Sequence, residues 1–107
     1  MSIRIRNYDH YMELFEEKKS QPIILYFTAA WCGPCQEIRP AVETLAAEHH
    51  EQLSFFKVDI EENEQLFDEF ELNFVPTFVL LIDGQKKEAV GGADLDKLRD
   101  LVRAALN

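Results

Sequence analysis

The sequence predicts an α/β domain with a central mixed β-sheet flanked by helices on both faces. Three observations predict it. Strand-like and helix-like segments alternate in the order β-α-β-α-β-α-β-β-α, which favours parallel pairing through right-handed crossovers. The stretch Pro22–Thr28 is almost unbroken in apolar character, as expected of a strand covered on both sides. Asp83-Gly84 stands between two strand-like runs and has the chemistry of a tight hairpin turn, which adds antiparallel strands late in the chain.

Each element has its own signal. Ile3 and Ile5 alternate with arginines, a short strand pattern. Tyr8, Tyr11, Met12, Leu14 and Phe15 fall at helical spacing and give way to charged Glu16–Lys19. Ile23, Ile24, Leu25, Tyr26 and Phe27 form the central strand. A second helix runs from about Gly33 to His49 with Ile38, Val42, Leu45 and Ala46 on one side; Pro40 inside it removes one backbone bond and should bend it. Leu53–Asp59 is a strand carrying Phe55, Phe56 and Val58, and Leu66, Phe67 and Phe70 mark a short amphipathic helix. Thr77–Ile82 and Lys86–Val90 are the hairpin arms, and Gly91-Gly92 breaks the second. Asp94 is the expected N-cap of a last helix with Leu95, Leu98, Leu101, Val102 and Leu106 on one stripe.

At 107 residues the chain is expected to form one domain, residues 1–107. An apolar fraction of 47% supports a core that needs no cross-links. Lys and Arg number 11 against 20 Asp and Glu, a formal charge of −9, which argues against nucleic-acid and anionic-membrane partners. Two cysteines cannot make the framework of a disulfide-dense secreted domain. The apolar runs Ile23–Phe27 and Val75–Ile82 are far shorter than the roughly 20 residues that cross a bilayer. Met1–Asn7 lacks the apolar stretch of a secretory signal, so a reducing, cytoplasmic setting is expected.

The chemistry lies in Ala29-Ala30-Trp31-Cys32-Gly33-Pro34-Cys35-Gln36, where the buried strand ends and a helix begins. Residues three apart on a helical turn face each other, so Cys32 and Cys35 can close a disulfide. Unpaired N–H groups at a helix start stabilise an anion and favour a thiolate placed there. Pro34 lacks the N–H that a first turn leaves unpaired and stiffens the backbone. Cys32, at the exposed helix start, is the candidate nucleophile. Cys35, one turn in and better shielded, is the candidate resolving thiol. Trp31 supplies an apolar flank. A structural zinc site would need four ligands, and neither a second Cys-x-x-Cys nor a close His pair accompanies these two.

Here the chain resembles the thioredoxin family. Trp31-Cys32-Gly33-Pro34-Cys35 looks like that family's unaltered active site, and Phe27-Thr28-Ala29, Pro40, Lys57-Val58-Asp59, Val75-Pro76-Thr77 and Gly91-Gly92-Ala93 resemble its other landmarks in order. The resemblance implies a thioredoxin fold and a dithiol electron carrier that reduces disulfides in protein substrates and maintains cell redox homeostasis. It implies a cis peptide bond at Val75-Pro76, with Trp31, Val75, Pro76 and Gly92 forming a shallow apolar surface for the substrate. No cofactor is expected, because no nucleotide-binding pattern occurs. Electron transport would start from a separate thioredoxin reductase or similar donor, and the protein is expected to act as a monomer.

One residue departs from the family pattern. The strand before the active site usually carries a buried aspartate, and this chain has Tyr26 there. A phenol, with an ordinary pKa of about 10, is a poor base at neutral pH. Tyr26 therefore reads as a core aromatic, Cys35 as dependent on another base, and the fold as relieved of a costly buried carboxylate. Lys57 loses its family partner and has Asp59, Glu37 or solvent as alternatives. The run Glu61-Glu62-Asn63-Glu64 reads as a solvated face. Two alternative functions stand beside reduction: a binding or scaffold module on the same fold, and disulfide oxidation or isomerisation. Gly33-Pro34 between the cysteines argues against the second.

Overall fold

The computed structural model describes all residues, Met1–Asn107. Its elements are β1 (Ile3–Arg4), α1 (Tyr8–Lys18), β2 (Ile23–Thr28), α2 (Gly33–Glu48), β3 (Ser54–Asp59), α3 (Glu64–Glu69), β4 (Thr77–Ile82), β5 (Gln85–Gly91) and α4 (Leu95–Leu106). The strands form one sheet in the order β1-β3-β2-β4-β5. β2 lies at its centre, and every one of its residues is buried, as an apolar run between two helical layers demands. It pairs in parallel with β3, Tyr26 opposite Lys57, and antiparallel with β4, Tyr26 opposite Phe78. β1 pairs in parallel with β3, and β4 with β5 is antiparallel.

Alternation along the strands divides the core in two. Ile24, Tyr26, Phe55, Phe78 and Leu80 face α2 and α4, meeting Ile38, Val42, Leu98, Leu101 and Val102. Ile23, Leu25, Phe27, Phe56, Val58, Val79 and Leu81 face α1 and α3, meeting Tyr11 and Leu66. Each large apolar side chain so buried contributes about 1.5–3 kcal/mol before the entropy of ordering it is deducted. Side chains cap three of the helices. Asn7 accepts from the His10 amide, Cys32 from the Cys35 amide and Asp94 from the Lys97 amide.

The hairpin turns as Asp83-Gly84 requires, with φ of 53° and 78°, the left-handed pair whose twist suits two-residue hairpins. Gly84 is needed twice over, since a Cβ there would also lie 3.0 Å from the Phe15 ring.

Some expectations shift. β1 ends at Arg4; Ile5 is fully buried, and its amide donates to the Lys57 carbonyl at 2.9 Å beyond the strand's end. α2, by contrast, holds Pro40 inside it as expected. Gly91, expected with Gly92 to break the strand, still pairs with Thr77; the chain turns away at Gly92, where φ is 89°. No helix is long and apolar enough to cross a membrane.

Candidate active site around Cys32 and Cys35

The central strand delivers the site. β2 ends at Thr28, and the next four residues lead into α2, whose first helical residue is Gly33. The Cys32 amide donates to the Ala29 carbonyl at 3.2 Å, and Gln36 Nε2 donates to the same oxygen at 3.2 Å. Those two bonds tie the first turn of α2 to the end of the sheet.

Cys32 is the N-cap of α2 in extended conformation, φ −89° and ψ 110°. Its Sγ accepts from the Cys35 amide at 3.2 Å, one of the four N–H groups a helix start leaves without a backbone partner. Pro34 occupies the first turn and has no N–H to satisfy. Cys32 and Cys35 are joined as a disulfide with a Cα separation of 5.3 Å, within the usual span for such a bridge.

One expectation needs correcting. The sequence reading put Cys32 at an exposed helix start, but in the disulfide form it is only 5% exposed, against 0% for Cys35. The cause is packing: Ala29 lies beside the two cysteines, and Ile60 and Val75 close over them. Trp31, the expected flank, is 67% exposed.

The opposing wall is the Val75-Pro76 segment, whose peptide bond is cis, as the family resemblance implied. The Val75 carbonyl oxygen lies 3.7 Å from Cys32 Sγ. Pro76 is buried, and its carbonyl accepts from the Gly92 amide at 2.8 Å. That bond joins the proline segment to the end of β5. Sequence reading missed one neighbour, Phe74, a residue 57% exposed just before Val75. A single apolar residue in a loop has no periodicity to betray it; its adjacency to Val75-Pro76 was the available signal.

A cavity of about 150 Å³ at the end of β2 is lined by Tyr26, Thr28, Ala29, Ala30, Gln36, Arg39, Lys57 and Asp59. Tyr26 is fully buried, and its ring stacks on Phe78 with centroids 5.3 Å apart and planes 9° from parallel. Its hydroxyl donates to the Cys35 carbonyl at 3.4 Å, a long bond. Burial pushes the phenol above its usual value, outweighing the opposing pull of Thr28 and the Arg39 guanidinium. It is thus a neutral core aromatic, as its chemistry suggested.

Lys57 pairs with neither Asp59 nor Glu37; the chain's ion pairs are Arg4–Glu62, Lys19–Glu16, His50–Glu51 and Arg103–Asp100. Its charge is felt instead by Glu43 on α2. Burial pushes the Glu43 carboxyl up, but bonds from the Ser2 hydroxyl and amide, together with Lys57, bring it below its ordinary value. The amide of Ser2 lies 2.9 Å from one carboxylate oxygen and its hydroxyl 2.6 Å from the other.

Comparison with known proteins agrees with this geometry. The thioredoxin family model matches residues 3–104. An H-type thioredoxin of Fagopyrum esculentum is 39% identical over 88 residues, covering 80% of this chain and 75% of that protein. The TPR repeat-containing thioredoxin TDX of Arabidopsis thaliana is 38% identical over 86 residues, and there the match spans 80% of this chain but 22% of the longer protein. Among solved structures, the X-ray structure of Fasciola hepatica thioredoxin superposes with a TM-score of 0.91 at 34% identity, over 96% of this chain and 98% of that one.

Proposed function

The chain belongs to the thioredoxin family, and we propose that in its chemistry Cys32 is the attacking sulfur and Cys35 the resolving one. The protein is a thiol-disulfide oxidoreductase of the kind that reduces protein disulfides, and the family works with disulfide-bearing substrates and reductase partners.

The reaction runs in two exchanges. In the reduced protein the Cys32 thiolate attacks one sulfur of a substrate disulfide; a mixed disulfide forms and one substrate thiolate leaves. The Cys35 thiolate then attacks Cys32 Sγ, closing the Cys32–Cys35 disulfide and expelling the second substrate thiolate. Two electrons have passed to the substrate, and a separate dithiol donor, a thioredoxin reductase or similar protein, returns them. No cofactor takes part.

The observation that carries this assignment is the Cys35 amide aimed at Cys32 Sγ at 3.2 Å. A donor placed there stabilises a charged sulfur more than a neutral one. The complete burial of Cys35 supports its later role, since it meets only a sulfur already held at the site. Gly33 and Pro34 keep the turn between them tight. An extended substrate segment docks across Trp31, Val75 and Gly92, with Pro76, named with them from the sequence, buried beneath that surface rather than exposed on it. Tyr26 and Lys57 support the site from behind: the phenol as packing, the lysine as a distant positive charge. We place the protein in the cytoplasm as a single-domain monomer that carries electrons in redox homeostasis, with neither nucleic acid nor membrane as partner; the charge of −9 supports that reading.

Trapping tests the roles. Cys35→Ser mixed with a protein disulfide should accumulate a mixed disulfide at Cys32, and Cys32→Ser should accumulate none; the opposite result reverses the assignment. A double Cys→Ser variant that kept its cellular function would favour a scaffold role.

A further inference from the structure

Phe74 is an exposed aromatic held in place from two sides. Its carbonyl accepts from the Thr77 hydroxyl at 2.6 Å, which fixes the backbone just ahead of the cis Val75-Pro76 bond. Its ring lies across Gly91, so closely that a Cβ on that residue would run into the ring carbons. Gly91 sits in β5 opposite Thr77, so both supports belong to one rung of the sheet. The residue is still 57% exposed and immediately precedes Val75, whose carbonyl lies 3.7 Å from Cys32 Sγ. Trp31, adjacent to Cys32, is 67% exposed.

We infer that Phe74 is a specificity-determining residue: it receives an apolar side chain beside the substrate's cysteine, so that the protein favours disulfides flanked by apolar residues. The occupant follows from continuity with the reacting sulfur. The Val75 carbonyl lies 3.7 Å from Cys32 Sγ, and Phe74 is the exposed aromatic next along that wall, within reach of the residue beside a substrate cysteine bound at Cys32. An exposed aromatic that is already immobilised loses little side-chain entropy when a partner covers it, so more of the area it buries appears as binding. A polar residue in the same place gains nothing from the ring and gives up some of its hydration.

This inference rests on the disulfide-reductase reading, and the test separates the two. Pre-reduced protein is mixed in single turnover with two cystine-bridged peptide dimers that differ only beside the cysteine, leucine in one and serine in the other. Oxidised glutathione serves as a small disulfide with no such side chain. The wild-type protein should react about tenfold faster with the leucine dimer, the discrimination one apolar contact supplies. Phe74→Ala should bring that ratio close to one with the glutathione rate unchanged, and Phe74→Leu should restore most of the preference. Equal wild-type rates for the two dimers, or an undiminished ratio in Phe74→Ala, overturn the inference while leaving the reductase reading intact. Failure of the wild-type protein to reduce any of the three disulfides overturns that reading as well.

Discussion

Tyr26 and Cys35 meet through one long hydrogen bond, hydroxyl to carbonyl at 3.4 Å, and the thiol of Cys35 has no carboxylate delivered to it from the central strand. The aromatic ring earns its place by packing, stacked flat on Phe78 inside the larger core cluster.

Two substitutions at position 26 separate packing from chemistry. Tyr26→Phe keeps the ring and removes only the long bond, so its unfolding free energy should fall by no more than about 1 kcal/mol. The second exchange, measured as release of the second substrate thiol, should keep its rate. Tyr26→Asp supplies a base but empties the stacked position, and should cost about 3–5 kcal/mol at neutral pH. A buried aspartate has its folded pKa raised above the unfolded value of about 3.9, so its ionisation penalty should grow as pH rises past that point and disappear below it. Faster release of the second thiol should accompany the loss. Denaturant unfolding across pH and stopped-flow thiol release read both; a slowed second exchange in Tyr26→Phe would show that the phenol takes part.

Glu43 holds the beginning of the chain to α2 through Ser2, and its carboxyl is depressed below the ordinary 4.5 despite the opposing effect of burial. A lowered folded pKa contributes stability that is complete above the unfolded value and fades as pH falls through the folded one. Glu43→Gln should therefore weaken the protein at neutral pH and flatten the fall in stability that begins as pH drops below about 4.5. The loss should stay at or below about 1 kcal/mol, because this carboxylate is half-exposed and its charges are screened. Urea titrations at several pH values check both the size and the slope.

Asn63 ties the segment just after β1 to the end of β3. Its side-chain amide donates to the carbonyls of Ile5 at 3.2 Å and Asp59 at 3.1 Å, and the residue is 4% exposed. Asn63→Ala strands the Ile5 carbonyl, while that of Asp59 keeps the Glu62 amide at 3.1 Å, and should cost about 1–2 kcal/mol. Amide exchange should quicken first at Ile5, where the edge of the sheet depends on this bridge.

Much of the fold was legible because its punctuation is strong. Thr77–Ile82 lies between a proline and an Asp-Gly turn, and the observed β4 has those bounds. The central strand was readable because it contains no charged residue. The role of Asn63 was not readable, since its partner Ile5 is 58 residues away and an asparagine in an acidic run resembles surface. The carboxylate near Lys57 was not readable for a similar reason: the local options were Asp59, Glu37 and solvent, whereas Glu43, which feels its charge, lies on α2 one turn past Arg39. The burial of Cys32 also depends on contacts from Ile60 and Val75 that come together only in the folded sheet.

The proposal about the two sulfurs stands on the Cys35 amide that Cys32 receives. The most direct check is the rate at which iodoacetamide alkylates Cys32 in the reduced protein at pH 7, with the modified site mapped by mass spectrometry and a cysteine in an unstructured peptide as reference. A peptide thiol is only a few per cent ionised at that pH, so a stabilised thiolate should make Cys32 react about tenfold faster. A rate equal to or below that of the peptide would contradict the assignment of Cys32 as the attacking sulfur.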